Sequence, residues 1–176
     1  MKTGQDSSLT TAAVAGCPRA MHELGLQCDD PDERKSWLKK AAEKGYLPAM
    51  FDYALECENP DERRRWLTEA ADEGIVTAMY HLGLESEALA TRTRWLTKAA
   101  DLGYVPAIYA LANDCTDPHE RKCLLHKAAG EGYVPAMFAL AMECDSARQP
   151  LQLLRVNNLR RMPLVLRFAA GRYSLR

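Results

Sequence analysis

Three features of this 176-residue sequence predict an all-α fold. The expected architecture is a right-handed α-solenoid of about five helix-turn-helix repeats, with a C-terminal capping helix and an irregular tail. The first feature is a phrase that returns every 29 residues. It reads Trp37-Leu38-Lys39-Lys40-Ala41-Ala42-Glu43-Lys44-Gly45, then Trp66 to Gly74, Trp95 to Gly103 and Leu124 to Gly132. Ala12, Ala13, Gly16, Ala20 and Met21 keep the same offsets in a weaker first copy. A strict period of this length marks a stacked array, because one helix pair cannot bury its apolar face alone. The second feature is a recurring helix start, and the third is a matched run of small and bulky residues after each Gly.

Helix A of each repeat is expected over about 31–44, 60–73, 89–102 and 118–131. Its starts are Asp30-Pro31-Asp32-Glu33, Asn59-Pro60-Asp61-Glu62 and Asp117-Pro118-His119-Glu120. Asp or Asn caps the orphan amides, Pro takes the first helical position, and Glu at the third completes a capping box. Ala88-Leu89-Ala90-Thr91 offers no capping side chain, so the third copy should start less sharply, with Ser86 as an earlier cap. Leu38, Ala41 and Ala42 form a compact apolar stripe beside Trp37. Gly45 and its equivalents end helix A in the left-handed conformation that Gly tolerates.

Helix B should run over about 48–57, 77–86, 106–115 and 135–144, opened by Pro48, Pro106 and Pro135 where present. Small residues (Ala49, Ala78, Ala107, Ala136), bulky ones (Met50, Met79, Ile108, Met137) and aromatics (Phe51, Tyr80, Tyr109, Phe138) recur in order. Ala54, Gly83, Ala112 and Ala141 are small again, as interlocking helices require. These four rows are therefore expected in the core. The array should occupy 1–145, with repeats at about 1–28, 29–57, 58–86, 87–115 and 116–144. Ser146-Ala147-Arg148-Gln149 fits the start register and predicts a terminal helix over about 147–160 within an Arg-rich segment, 146–176.

The net charge of -1 hides an asymmetry. Residues 146–176 hold seven Arg and no Asp, Glu or Lys, so the first 145 carry 16 basic against 24 acidic residues. Such a basic segment reads either as a docking element or as a cap whose Arg side chains meet the acidic array. No apolar run reaches the roughly 18 residues of a membrane span. Val14-Ala15-Gly16-Cys17 resembles a bacterial lipoprotein cleavage box, but no apolar segment precedes it and Gly16 belongs to the repeat. Cys28, Cys57, Cys115 and Cys144 share one repeat position, with Ser86 in the gap. Stacked equivalents lie roughly 8–10 Å apart, too far for a disulfide. They are expected as small buried packing residues of a reduced, cytoplasmic protein.

The Ala-Ala-x-x-Gly-x-x-x-Ala phrase (Ala41, Ala42, Gly45 and Ala49), the preceding Trp37 and the later Leu82-Gly83 resemble Sel1-like repeats, relatives of the tetratricopeptide repeats. The resemblance covers residues 8–145. The usual repeat is longer, about 36 residues or more, near the lengths of other helical repeats. A family branch with two disulfide-bonded cysteines per repeat does not match the single Cys here. The resemblance implies a scaffold or adaptor that binds a protein or peptide through a concave face lined by helices A. Bacterial members imply host interaction, envelope assembly or toxin neutralisation as roles.

On the helix A face opposite the core stripe, Arg65 and Arg94 stand in one row, with Lys39, Thr68, Thr97 and His126 around them. These six are the candidate partner-binding residues, since the planar fork of Arg recognises carboxylates and backbone. The same residues also fit a solvated face with a local Asp61–Arg65 pair. His119, Cys123 and His126 share a helix face, but Cys115 should point elsewhere, and a structural zinc wants four convergent ligands. No metal or cofactor is expected. Ser36 and Cys123 lack a recognisable base and orienting group, so no enzyme is expected. Two other classes stand as alternatives: a hydrolase of a cell-wall-related substrate, and nucleic-acid or anionic-surface binding through the Arg-rich segment. The acidic array disfavours nucleic acid.

Overall fold

In the computed structural model the described residues are 4–145, with side chains described for 8–143. The expected terminal helix near 147–160 and the Arg-rich segment lie outside them. The described residues form ten helices and no strand. These are α1 (Gly4–Val14), α2 (Pro18–Gln27), α3 (Pro31–Glu43), α4 (Leu47–Glu56), α5 (Pro60–Asp72), α6 (Val76–Glu85), α7 (Leu89–Asp101), α8 (Val105–Asp114), α9 (Pro118–Gly130) and α10 (Val134–Asp145). Odd-numbered helices are the expected helices A and even-numbered ones the expected helices B. The chain divides into two compact units, 1–99 and 100–176. In the first, each helix from α1 to α6 packs on the next; in the second, α9 packs on both α8 and α10.

Local chemistry explains the boundaries. The side chains of Asp30, Asn59 and Asp117 accept from the amides of Asp32, Asp61 and His119 at 2.9–3.0 Å. Glu62, the expected capping-box partner, does not turn back to its own cap. It accepts a 2.9 Å hydrogen bond from Tyr53 Oη instead. At the other end, Gly45 N–H donates to Ala42 O and Tyr46 N–H to Ala41 O. The pattern repeats at Gly74 and Ile75, and at Gly132 and Tyr133. This crossed pair needs a positive φ at the glycine, which is +81° at Gly45 and +94° at Gly74. The recurring Ala-Ala-x-x-Gly is thus a helix stop as well as a packing surface.

The third copy corrects an expectation. Helix α7 begins at Leu89 in the same register as the others, and Arg92 N–H donates to Ala88 O as Arg63 N–H donates to Asn59 O. Ser86 is the last cap of α6, its hydroxyl donating to Leu82 O at 2.6 Å. Packing sets the start even where the capping side chain is absent.

The core is narrower than the sequence pattern indicates. Leu38, Leu67, Leu96 and Leu125 are fully buried, as are both alanines of most copies. Met50, Met79 and Ile108 are buried as expected, while Met137 of the same row is half-buried and Ala141 of the second small row is exposed. The aromatic row is not: Phe51, Tyr80 and Tyr109 are partly exposed, and Phe138 is 53% exposed. Two residues further on, Tyr53, Leu82 and Leu140 take the core role. Tyr53 is 2% exposed and meets Trp66 edge-to-face at 5.6 Å.

The shared Cys position is also only partly a packing site. Cys57 is buried, but Cys28 and Cys115 are half-buried, and all three cap the C-terminal ends of helices B. Arg34 donates twice to Cys28 O, at 3.1 and 3.3 Å, and Arg63 twice to Cys57 O, at 2.7 and 3.1 Å. The same guanidiniums lie 3.6 Å from Glu56 and Glu85. Each Arg therefore ties the end of one helix B to the next repeat.

Gly83 is the tightest joint. A Cβ there would lie 2.7 Å from both Cγ and Cδ2 of the buried Leu96. Gly83→Ala should lower stability by about 1–2 kcal/mol, overpacking outweighing the gain in helix propensity. Denaturant unfolding would check this. A stabilised variant would show that the joint has slack.

Burial, and then the hydrogen bond to Glu62, push the Tyr53 pKa above the ordinary tyrosine value. The folded chain holds this phenol neutral where the unfolded chain ionises it. Its stabilising contribution is complete below about pH 10 and declines as pH rises beyond that. Thermal unfolding between about pH 8 and pH 11 should show this decline, and Tyr53→Phe should shrink it. An unchanged slope in the variant would count against the argument.

Candidate functional site

Helices α3, α5 and α7 present their polar faces outward because the Leu and Ala stripe consumes the opposite side. Lys39, Arg65, Arg94 and Thr97 are exposed and Thr68 is half-buried, all in the first unit. His126 is exposed on α9, in the second unit. The residues seen together at one place are Arg65 and Thr68. With Asp61, Arg64, Glu69 and Asp72 they form one open polar stripe along the outer face of α5. Thr68 Oγ1 donates 2.7 Å to Arg64 O, so its hydroxyl proton is committed to its own helix.

The cations are held rather than loose. The Arg65 guanidinium lies over the Trp66 ring at 5.3 Å, and Arg94 lies over Trp95 at 5.2 Å. Lys98 Nζ sits 4.4 Å from the Trp95 ring centre, and Lys40 Nζ the same distance from that of Trp37. Trp66 and Trp95 are buried, so the cations form the outer cover of an aromatic row. Lys40 and Lys98 belong to this group, although sequence reasoning left them out of the candidate site. The signal was available, since both stand three residues after a Trp, where helical neighbours meet. The surface offers fixed positive heads beside the Asp61, Glu69 and Asp72 carboxylates.

Other chemistry is thinly supported. Among the described residues, no three His, Cys, Asp or Glu side chains gather as a metal site would require. His119, Cys123 and His126 are exposed along α9. Burial pushes the Cys57 thiol above its ordinary value, which is the wrong direction for a nucleophile. No disulfide joins the described cysteines Cys17, Cys28, Cys57, Cys115 and Cys123. Cys17 caps α2 directly after Gly16, whose φ is +97°, so this pair serves the repeat. No helix of the described residues is long and apolar enough to cross a membrane.

No protein-family model and no curated protein matches this sequence. Solved structures do match the fold. A protective antigen of uropathogenic Escherichia coli strains, described as displaying an SLR fold, superposes with a TM-score of 0.68 at 24% identity, over 78% of this chain. A Sel1 repeat protein from Oxalobacter formigenes gives 0.65 at 25% identity over 77%. An immunity protein from Pseudomonas aeruginosa gives 0.50 at 23% over 80%. This chain spans 35%, 47% and 57% of the lengths of those three. By its repeat phrase and its helical architecture, the chain has the fold of the Sel1 repeat proteins that it is similar to.

Proposed function

We propose that the chain is a non-enzymatic interaction scaffold of the cytoplasm, seating a partner protein or peptide on the helix A face of its first unit. The observation that carries this reading is the cation row over the tryptophans, Arg65 on Trp66 and Arg94 on Trp95. A guanidinium already stacked on a ring loses less freedom when it meets a partner carboxylate or backbone carbonyl. Exposed Arg at such a centre is a frequent hot spot. Lys39, Thr97 and the exposed polar stripe of α5 would supply surrounding polar contacts. Described cysteines that form no disulfide are in keeping with a reducing setting.

Affinity capture with the purified chain should recover one stoichiometric protein partner. Turnover of a cell-wall-related substrate by the pure protein, abolished by a single substitution, would overturn the scaffold reading. Arg65→Ala with Arg94→Ala should weaken partner binding by at least about 1 kcal/mol. It should leave the unfolding midpoint nearly unchanged, because exposed cations contribute little to folding. Trp66→Ala should instead cost roughly 3–5 kcal/mol of stability. Calorimetry on the variants separates the two effects. Normal binding by the double Arg variant would refute the helix A face as the site.

A further inference from the structure

The first unit carries a second surface, distinct from the helix A face. Leu26, Leu55 and Leu84 stand near the ends of α2, α4 and α6 at one repeat position, and are 56%, 45% and 40% exposed. Single exposed leucines are ordinary. Three apolar side chains left exposed at one register are not, and the exposed position held by Ser36, Arg65 and Arg94 shows that such positions can change between copies. Side-chain contacts also join these helices to one another. His22 Nε2 lies 2.6 Å from Asp52 Oδ2, joining α2 to α4, and Phe51 packs edge-on to His81 at 5.4 Å, joining α4 to α6. His22 and Phe51 sit one turn before Leu26 and Leu55, as Tyr80 does before Leu84.

Each leucine opens a stretch into the next helix A that contains no Lys or Arg: 26–33, 55–62 and 84–91. Together these stretches hold ten carboxylates. Asp30 is engaged as a cap, Glu56 and Glu85 pair with Arg34 and Arg63, and Glu62 accepts from Tyr53. Asp29, Glu58 and Glu87 stand outermost, all exposed, three residues past each leucine and again at one repeat position. A leucine row thus runs beside a carboxylate row, and the nearby cations Arg34 and Arg63 are already engaged by the Cys28 and Cys57 carbonyls and by Glu56 and Glu85. At about 10 Å per repeat, Leu26 to Leu84 spans about 20 Å, the length of a helix of roughly 13 residues.

We infer that this strip docks a cationic amphipathic helix of a partner protein. The leucines take its apolar face, and Asp29, Glu58 and Glu87 meet its Lys and Arg side chains. Neutral or anionic helices would leave the carboxylate row without a counterpart.

The test uses the full chain and a labelled peptide of about 18 residues, Leu and Lys only, with Leu at helical spacing. Fluorescence anisotropy should give saturable binding that weakens with added salt. Leu26→Ser/Leu55→Ser/Leu84→Ser should weaken it at least about tenfold, and so should Asp29→Asn/Glu58→Gln/Glu87→Gln. All six positions are exposed, so circular dichroism should show both variants folded. Arg65→Ala/Arg94→Ala should bind the peptide as the parent does, which separates this strip from the helix A face. Equal binding by the parent and either triple variant would overturn the proposal. So would equal binding of a peptide with the same composition but no amphipathic order. A sedimentation shift to a dimer, abolished by the Leu variant, would also overturn it, by assigning the strip to a second copy.

Discussion

The close approach of each helix B to the Leu of the following helix A is the constraint on which the first unit depends. At Gly25 a Cβ would meet Leu38 at 3.2 Å, and at Gly83 it would meet Leu96 at 2.7 Å. Only the smallest residues allow the leucine to enter between helices, where it loses contact with water and gains contacts on all sides. That approach fixes the helix separation. The separation in turn lets Arg34 and Arg63 reach back to the carbonyls of Cys28 and Cys57 while pairing forward with Glu56 and Glu85. Without those donors the capping carbonyls would be half-buried and poorly satisfied, a state costing about 1–3 kcal/mol each.

Helix limits were legible in the sequence because their causes are local. An Asp or Asn side chain bonding an amide two residues on, and a glycine at positive φ, act within one turn. The helices A accordingly end within one residue of the sequence reading. The aromatic row of helix B was misplaced for a different reason. Leu47–Glu56 is apolar around much of its circumference, so size and periodicity do not separate Phe51 from Tyr53. What decides is the partner helix, since Trp66 faces Tyr53. The Arg clamp was missed although it left a trace, Arg34, Arg63, Arg92 and Arg121 recurring with an acidic residue 22 positions later. Its acceptor is a backbone carbonyl, which no residue type advertises.

The candidate surface was half legible. Exposure of Arg65 and Arg94 follows from the helical wheel, and the structure agrees. Their placement over indole rings does not follow from it, because an exposed Arg has many rotamers of similar energy. The choice comes from the neighbouring Trp, whose ring face the cation covers.

Trp66 shows how core and surface are coupled. Its Nε1 is buried with no hydrogen-bond partner, a defect costing about 1–3 kcal/mol. Burying an aromatic side chain removes some 150–250 Å² from water, which at about 25 cal/mol per Å² is roughly 4–6 kcal/mol. The ring therefore stays inside despite the orphaned donor, aided by its edge-to-face contact with Tyr53. With the indole fixed by the core, only its outer face remains for a cation, and Arg65 takes it from the preceding position. Trp95 is buried likewise and draws two cations, Arg94 and Lys98. Positive heads on the exposed face are thus positioned by residues whose first role is packing, so a change in the tryptophan row would move the surface along with the core.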